Sequence, residues 1–295
     1  MKVLIAIDGL SFSEAVVQAV AQRPWPRGTT VHVISVVDPF VTADVQALIF
    51  EGTRAAQVTV EKAAAQLHAA GFTVSAEALE GHPATTIVAE AREIGADFVF
   101  VGSHGSRAIA RFLLGSTALA VVRNGPCSVE VVRMGRKNHS GDAAKGTRIL
   151  LATDGSEYSA LAAKSIAGRP WPAGTEVRIV CASECYAPWV DVPTSNLDVW
   201  EDLRKAYIDQ AGEAVVAAET ILAKARLKTQ SFVPSIFAAA KAVILDESIG
   251  WNADLIVVGS HGRRGLDHFL LGSVSEAIAM SAQCSVDVIR PRKID

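Results

Sequence analysis

The chain has 295 residues, a length typical of two domains. Half of its residues are hydrophobic and a fifth are charged, which excludes an intrinsically disordered protein. The formal net charge of −3 argues against sequence-independent binding of nucleic acid, and no apolar run approaches the roughly 20 residues of a membrane-spanning helix. We therefore expect a globular protein without nucleic-acid or membrane partners.

The N-terminus and the cysteines favour a cytoplasmic protein. The apolar run at residues 3–7 is too short for a signal peptide, and Asp8 follows it at once. Four cysteines in a chain of this length agree with a reducing compartment. Cys127 and Cys284 lie in apolar, strand-like segments and are predicted core residues. Cys181 and Cys185 lack a second Cys or His pair, so we predict no metal site.

Short apolar runs alternate with helical patterns along the first half. Residues 3–7 are continuously apolar, as expected of a strand that is buried on both faces. Residues 11–14 have the pattern of a capping box and predict the start of a helix, which Pro24, Pro26 and Gly28 end. The further predictions, in chain order, are a strand at 31–37, an Ala-rich helix that Gly71 stops, a strand at 74–79, a helix at 84–94, a strand at 98–101, a helix at 117–123 and a strand at 128–132.

The second half repeats this order of elements. Strands that alternate with helices indicate an α/β protein with parallel sheets. We predict two tandem, open, doubly wound five-stranded sheets of the Rossmann-like kind. In such sheets a ligand binds beyond the carboxyl ends of the strands, where the strand order reverses.

The two halves are copies of one unit. Residues 23–29 recur at 169–175, and residues 96–133 align without gaps to residues 253–290 with 19 identities in 38 positions. The offset grows from 146 to 157, so the second half carries eleven extra residues, which we place near residues 184–196. A polar, Gly-containing stretch separates the copies. We predict a first domain at 1–135, a linker at 136–146 and a second domain at 147–295.

The loop after the fourth strand of each half has a fixed glycine spacing. Glycine after a buried strand lets the backbone approach a ligand closely, and free N–H groups at a helix start favour a phosphate. The spacing is carried by Gly102, Gly105, Gly115 and Ser116 in the first half, and by Gly259, Gly262, Gly272 and Ser273 in the second. It favours a phosphate site in each half.

Structural explanations of the same residues stay open at this point. Residues 273–276 form a capping box, so Ser273 can simply cap its helix. Glycines after strands also make tight turns without a ligand. His104 and His261 are either phosphate ligands or, as we favour, polar loop residues. The loop arginines Arg107, Arg263 and Arg264 either clamp phosphates or are solvated.

The glycine spacing resembles the nucleotide loop of the universal stress protein family, in its tandem-domain, ATP-binding branch. The resemblance includes the Asp-Gly turn after the first strand and covers both halves outside the linker and the insertion. It is fullest at residues 153–156 and 258–276. It implies an adenine nucleotide alpha hydrolase-like fold with one site for ATP, ADP or AMP in each domain, and Mg²⁺ carried with the nucleotide.

The resemblance also implies roles for individual residues. Asp8 and Asp154 would face the adenine edge, and Val36 and Ala182, each 28 residues further on, would pair with adenine through their backbone. Val101 and Val258 would line the wall beside the ribose. The ribose and phosphates would be held by Gly102, Gly105, Gly115, Ser116 and Thr117 in the first half and by Gly259, Gly262, Gly272, Ser273 and Val274 in the second.

The two halves depart differently from the family pattern. The first half has Leu10 where the second has Ser156, and residues 106–108 are less family-like than residues 263–265. The second half has Ala238 where the first has Gly81, a position at which the family commonly has glycine. No departure removes a glycine of the loops, so we expect two competent sites that are not necessarily equal.

The last strand of each half contains an acid, Glu130 in the first and Asp287 in the second. A charge within an edge strand usually blocks unwanted pairing, and we favour that interpretation. In the family that the chain resembles, however, the last strand pairs one domain with another. The resemblance therefore implies pairing of the two domains within the chain, in which the acids would meet a basic partner, and it is compatible with a homodimer.

The function predicted is binding of an adenine nucleotide by a regulator of the stress response, acting by occupancy rather than turnover. The chain lacks a Gly-x-x-x-x-Gly-Lys-Ser/Thr loop and a Gly-x-Ser-x-Gly elbow, so we predict no catalytic residue. Two alternatives remain: an interaction or dimerisation module with vestigial loops, and a slow ATPase. The insertion at 184–196 is a lid, a dimer contact or a surface loop.

Overall fold

The structure, a computed structural model, describes residues 1–39, 46–103, 114–134, 146–182, 197–234, 239–263 and 271–292. The predictions for His104, Gly105, Arg107, Cys185, Ala238, Arg264 and the insertion at 184–196 lie outside the described residues.

The described residues of each half form five strands and four helices in the predicted order. The first half contains β1 (Lys2–Ala6), α1 (Ser11–Gln22), β2 (Thr30–Val37), α2 (Gln46–Ala69), β3 (Thr73–Glu80), α3 (Pro83–Glu93), β4 (Phe98–Gly102), α4 (Ser116–Asn124) and β5 (Ser128–Val132). The second contains β6 (Arg148–Ala152), α5 (Glu157–Ala167), β7 (Glu176–Val180), α6 (Leu197–Ala223), β8 (Lys228–Phe232), α7 (Ala240–Gly250), β9 (Leu255–Gly259), α8 (Ser273–Ser281) and β10 (Ser285–Ile289). No helix among the described residues is long and apolar enough to cross a membrane.

The two five-stranded sheets join edge to edge into one ten-stranded sheet. Its order is β3-β2-β1-β4-β5-β10-β9-β6-β7-β8. Neighbouring strands are parallel within each half, as predicted, and the halves meet through the antiparallel pair β5–β10, in which Glu130 lies opposite Asp287. The α/β, doubly wound fold class is thereby confirmed. Because the pair is antiparallel, the carboxyl edge of one half lies beside the amino edge of the other.

Helices cover both faces of the sheet. One apolar core joins the sheet to α1, α2, α5 and α6, through residues such as Val16, Val60 and Ala162. The other joins it to α3, α4, α7 and α8, through residues such as Ile87 and Ile278. The central strands are continuously apolar because each successive side chain enters one core or the other.

The interpretation of Glu130 and Asp287 as edge-blocking charges is wrong. Both carboxylates are fully buried because their strands pair with each other and are not edges. The Arg23 Nη2 atom lies 2.6 Å from the Glu130 Oε1 atom, and the Arg169 Nη2 atom lies 2.8 Å from the Asp287 Oδ2 atom. The repeated Arg-Pro-Trp-Pro sequence after α1 and α5 therefore supplies the basic partner of each acid. We call Arg23, Glu130, Arg169 and Asp287 the buried tetrad.

Aromatic rings surround one arginine of the buried tetrad. The Arg169 guanidinium carbon lies 4.6 Å from the ring centroid of Phe98 and 5.6 Å from those of Trp25 and Trp171. Contacts of a guanidinium with ring faces partly offset the loss of its hydration. Trp25 comes from the first half and Trp171 from the second, so the ring contacts also cross the junction of the halves.

A second pair of arginines ties each half to a helix of the other. The Arg290 guanidinium donates to the carbonyl oxygens of Gly125 and Val122, each at 2.6 Å, at the end of α4. The Arg133 guanidinium donates to the carbonyl oxygens of Ala279 and Met280, at 2.7 and 3.0 Å, in α8. Each arginine follows the last strand of its own half, so the two halves are related by a pseudo-twofold axis.

The predicted N-caps of α1 and α8 are wrong by one residue. Helix α1 has Leu10 as its N-cap, with no side-chain hydrogen bond, while the Ser13 hydroxyl bonds to Asp8. The N-cap of α8 is Gly272, so Ser273 occupies the first helical position and does not cap. Among the helix N-caps that the structure describes, Ser156 at the start of α5 alone accepts a side-chain capping bond, from the backbone N–H of Ser159 at 3.2 Å.

The described cysteines are buried core residues, as predicted for Cys127 and Cys284. Burial raises the pKa of Cys127 and of Cys284 to about 12, and that of Cys181 to about 11. A thiol that stays protonated at neutral pH is a poor nucleophile.

Candidate functional site

In each half, the register of the strands brings the predicted adenine-binding residues to the carboxyl edge of that half's five strands. Ala6 pairs with Ile34 on one side and with Val101 on the other, so Asp8, Val36 and Ser103 each lie two residues beyond a matched position. Ala152 pairs with Val180 in the second half. The spacing of 28 residues from Asp8 to Val36, and from Asp154 to Ala182, is thus the register of neighbouring parallel strands. This edge lies at the carboxyl ends, where the strand order reverses.

In the first half, Asp8 is bound to the start of α1. Its Oδ1 atom accepts hydrogen bonds from the backbone N–H of Leu10 and from the Ser13 hydroxyl, both at 3.0 Å. The residue is exposed. The carboxylate therefore shapes the turn after β1 while remaining open to solvent.

In the second half, Asp154 connects two loops. Its Oδ1 atom accepts from the backbone N–H of Ser156 at 3.0 Å, and its Oδ2 atom accepts from the backbone N–H of Arg263 at 2.9 Å. Arg263 directly follows Gly262 in the glycine loop. The carboxylate thus joins the turn after β6 to the loop after β9.

Packing explains three glycines of the second half. A Cβ atom at Gly259 would lie 2.6 Å from the backbone carbon of Tyr158, and one at Gly262 would lie 2.7 Å from the Asp154 carboxylate. At Gly272 it would lie 3.1 Å from the carbonyl oxygen of Ser260. The protein itself therefore excludes a side chain at Gly259 and leaves little room for one at Gly262 and Gly272, in addition to any requirement of a ligand.

The helices that follow the glycine loops begin without a side-chain cap. Gly115 and Gly272 are the N-caps of α4 and α8, and their own N–H groups bond to the carbonyl oxygens of Ser103 and Ser260, at 2.7 and 2.8 Å. Ser116 and Ser273 are exposed, and Thr117 and Val274 are half-buried. First-turn N–H groups without a side-chain cap suit an anionic ligand.

The two predicted wall residues, Val101 and Val258, contribute little side-chain surface to this edge. Each is 3% exposed and packs in the core that contains α4 and α8. Val36 and Ala182 are half-buried at the neighbouring strand ends. Only the backbone of Val101 and Val258 is thus placed to face a ligand.

Sequence analysis missed Tyr158 as a neighbour of the second glycine loop. Its ring centroid lies 4.8 Å from that of His261, whose Nδ1 atom is 3.0 Å from the Ser260 hydroxyl. His261, which we favoured as a polar loop residue, is buried beside this hydroxyl. The equivalent of Tyr158 in the first half is Phe12, so the repeat itself carried the signal of an aromatic ring at this position.

The first half shows one departure from the family pattern, Leu10, and one position that keeps the family's glycine, Gly81. Leu10 is 43% exposed at the N-cap of α1, where its side chain provides no cap. Gly81 has a φ of +146°, and a Cβ atom there would lie 2.5 Å from the Thr86 hydroxyl. The turn after β3 thus requires a glycine in the first half.

The chain was compared with known proteins. The model of the universal stress protein family matches residues 1–133 and again residues 146–290. A universal stress protein of Mycolicibacterium smegmatis is 29% identical over 98% of this chain and 97% of its own length. A universal stress protein of Mycobacterium tuberculosis is 32% identical over 74% of this chain and 70% of its own length.

Solved structures show the same fold. A universal stress protein from Archaeoglobus fulgidus covers 98% of both chains with a TM-score of 0.68 and 20% identity. A protein from Pseudomonas aeruginosa described as a putative universal stress protein covers 99% of this chain and 93% of its own, with a TM-score of 0.63 and 17% identity.

Proposed function

The chain belongs to the universal stress protein family, a family of stress-response proteins, and on this premise we propose that it binds one adenine nucleotide in each half. ATP is the proposed ligand, with ADP and AMP as related ones, and Mg²⁺ would arrive with the nucleotide. The protein acts by occupancy: the bound nucleotide changes the glycine loops rather than being turned over.

The proposal is supported above all by the groups that meet at one sheet edge. A carboxylate acceptor after the first strand, a free strand end beside it and an uncapped helix N-terminus suit the amino group, ring edge and phosphates of an adenine nucleotide. In the second half these groups belong to Asp154, Ala182 and the first turn of α8. The first half offers Asp8, Val36 and the first turn of α4.

The bond between Asp154 and the glycine loop supports a mechanism by occupancy. A nucleotide that contacts the Asp154 carboxylate also contacts the acceptor of the Arg263 N–H. Recognition of the base and the position of the loop are therefore coupled. A ligand that binds one loop arrangement better shifts the population toward it.

The two sites differ in the state of the carboxylate. In the second half Asp154 is half-buried and bound to the glycine loop, whereas Asp8 is exposed and bound to the start of its helix. We therefore expect the two halves to bind the nucleotide with different affinities.

The interaction module is the second candidate function. Packing by itself accounts for Gly259, whose added Cβ atom would lie 2.6 Å from the Tyr158 backbone, and tight contacts also surround Gly262 and Gly272. Such glycines would persist in a chain whose loops bind nothing.

Nucleotide bound per chain is the first measurement that tests the proposal. The freshly purified protein is denatured and the released nucleotide is quantified by chromatography, followed by a calorimetric titration with Mg-ATP. Two sites per chain are expected. No heat at millimolar ATP together with no released nucleotide would favour the interaction module.

Exposed serines allow each site to be removed separately. Ser273→Glu and Ser116→Glu place a negative charge where the phosphates would lie, yet an acid in the first turn stabilises its helix. Each variant is expected to lose one equivalent of ATP and the double variant both, whereas Ser273→Gln and Ser116→Gln retain binding. An ATP stoichiometry that is unchanged in the double variant contradicts the proposed sites. Steady conversion of ATP to ADP by the wild type, lost in the double variant, would establish a slow ATPase instead.

A further inference from the structure

A cavity lies where the first half meets the glycine loop of the second. Its volume is about 490 Å³, and its wall includes Tyr158, Ser260 and His261 of the second half together with residues from the ends of α3 and α4. The antiparallel β5–β10 pair creates it, because that pair sets the carboxyl edge of the second half against the amino edge of the first. We call it the junction cavity.

Three arginines line the junction cavity: Arg92 at the end of α3, Arg123 at the end of α4, and Arg290 after β10. No Asp or Glu is among the described residues of its wall. Arg123 forms two hydrogen bonds with Glu276, at 2.6 and 3.1 Å. Arg290 is fixed by the carbonyl oxygens at the end of α4. The guanidinium of Arg92 is exposed and has no hydrogen bond or ion pair within the described part of the chain.

The internal repeat supplies a comparison for these arginines. The equivalent position of Arg290 in the first half is Arg133, which bonds to the end of α8 in the same way. Arg290 is therefore explained by its structural role, which is to bind the end of α4 as Arg133 binds the end of α8. The equivalents of Arg92 and Arg123 in the second half are Ile249 and Met280, at an offset of 157 residues. Arg92 and Arg123 therefore have no arginine counterpart in the second half. The contacts that Arg133 and Arg290 make with the helix ends do not explain their presence.

The side chains that line the junction cavity favour an anionic ligand. Guanidinium groups form charge-assisted hydrogen bonds with phosphate, frequently through two N–H groups at once. A cavity of about 490 Å³ is larger than a phosphate ion needs and has the size of a small-molecule site. The Tyr158 and His261 rings, 4.8 Å apart, give it a partly aromatic surface.

We propose that the junction cavity binds a small phosphorylated molecule, whose phosphate group contacts Arg92 and Arg123 of the first half beside Arg290 and His261 of the second. The site joins both halves, so a ligand there is sensitive to how they pair. Because His261 directly precedes Gly262 of the glycine loop, the ligand also lies next to the proposed nucleotide site. The inference does not require that site to bind ATP.

Calorimetric titration of the full chain with inorganic pyrophosphate tests the proposal. Arg92→Gln removes the charge without burying or exposing an apolar group, and Arg54→Gln does the same on α2, away from the cavity. The wild type and Arg54→Gln are expected to bind pyrophosphate equally, and Arg92→Gln about tenfold more weakly. Equal binding by all three proteins, or no binding by the wild type, overturns the proposal.

The same titrations in saturating ATP identify the source of the phosphate. Arg92-dependent binding that persists with ATP present assigns the cavity to a separate phosphorylated molecule. Loss of pyrophosphate binding, with ATP binding itself weakened by Arg92→Gln, shows that the cavity receives the phosphates of the nucleotide. If ATP binds nowhere but Arg92-dependent pyrophosphate binding remains, the nucleotide proposal fails and the junction cavity stands.

Discussion

At the scale of single residues, the glycines of the second loop show how packing by itself constrains the choice of residue. Gly259 ends β9 where the backbone of Tyr158 crosses it, so no side chain fits. Gly262 faces the Asp154 carboxylate in the same manner. The spacing of these glycines follows from the path of the chain over the strand ends, and the loop that results is the one in which we propose a phosphate site.

We predict opposite effects of the same substitution at two glycines. Gly259→Ala places a methyl group 2.6 Å from the Tyr158 backbone and should lower the free energy of unfolding by about 1–3 kcal/mol. Gly212→Ala lies within α6, where nothing is within 4 Å of the added Cβ, and should raise it by about 0.5–1 kcal/mol. Chemical denaturation of both variants checks this. Equal effects would mean that Gly259 does not pack as described.

At the scale of elements, the ends of α4 and α8 are completed by the opposite half. The last carbonyl groups of a helix lack partners within the helix. Arg290 donates hydrogen bonds to such carbonyl groups of α4, and Arg133 donates to those of α8. These carbonyl groups at each helix end therefore gain their hydrogen bonds only when the two halves pair.

We predict that Arg290→Met and Arg133→Met each lower the free energy of unfolding by about 1–3 kcal/mol, because buried carbonyl groups lose a charged donor. Arg292→Met is the matched control, since Arg292 is half-exposed and paired with Asp97 at 3.2 Å; its effect should stay within about 1 kcal/mol. Thermal unfolding ranks the three variants. The capping role is excluded if Arg292→Met is as destabilising as the other two.

At the scale of the whole molecule, the buried tetrad stands at the centre of the ten-stranded sheet. Burial raises the pKa of Asp287 to about 7, aided by the nearby Glu130 carboxyl, while Arg169 opposes the shift. For Arg23, burial acts to lower the pKa, but the ion pair and hydrogen bond with Glu130, together with the charges of Asp287 and Asp254, raise it on balance. The Asp287 Oδ1 atom has no hydrogen bond within the described residues, so full ionisation of this carboxyl is costly.

The raised pKa predicts a pH dependence of stability. Between pH 3.8, the ordinary pKa, and about pH 7, the folded chain holds a proton on Asp287 that the unfolded chain has released. The resulting stabilisation is fully present below about pH 4 and is lost as the pH rises through 7. Urea unfolding of the wild type and of Asp287→Asn at pH 4.5 and 7.5 measures it. The wild type should lose stability relative to the variant at the higher pH; a constant difference between the two proteins would refute the assignment.

The local sequence was sufficient for the fold class and the order of elements, and it indicated the sheet edge at which we propose the site. Continuous apolar runs identify strands buried on both faces, because each successive side chain enters a core. The spacing of 28 residues from Asp8 to Val36 predicts neighbouring strand ends, since parallel strands keep a constant register. Gly71, with a φ of +92°, ends α2 because few other residues adopt that conformation.

Only the tertiary structure determined which strand pairs with the last strand of each half. Whether β5 and β10 are edges depends on the pairing of two segments more than 150 residues apart, and no local pattern encodes that choice. Glu130 finds Arg23 at a separation of 107 residues, and Asp287 finds Arg169 at 118. A buried charge requires a partner whatever its distance along the chain. The repeated arginines and acids were therefore visible in the sequence, while their pairing across the folded core was not.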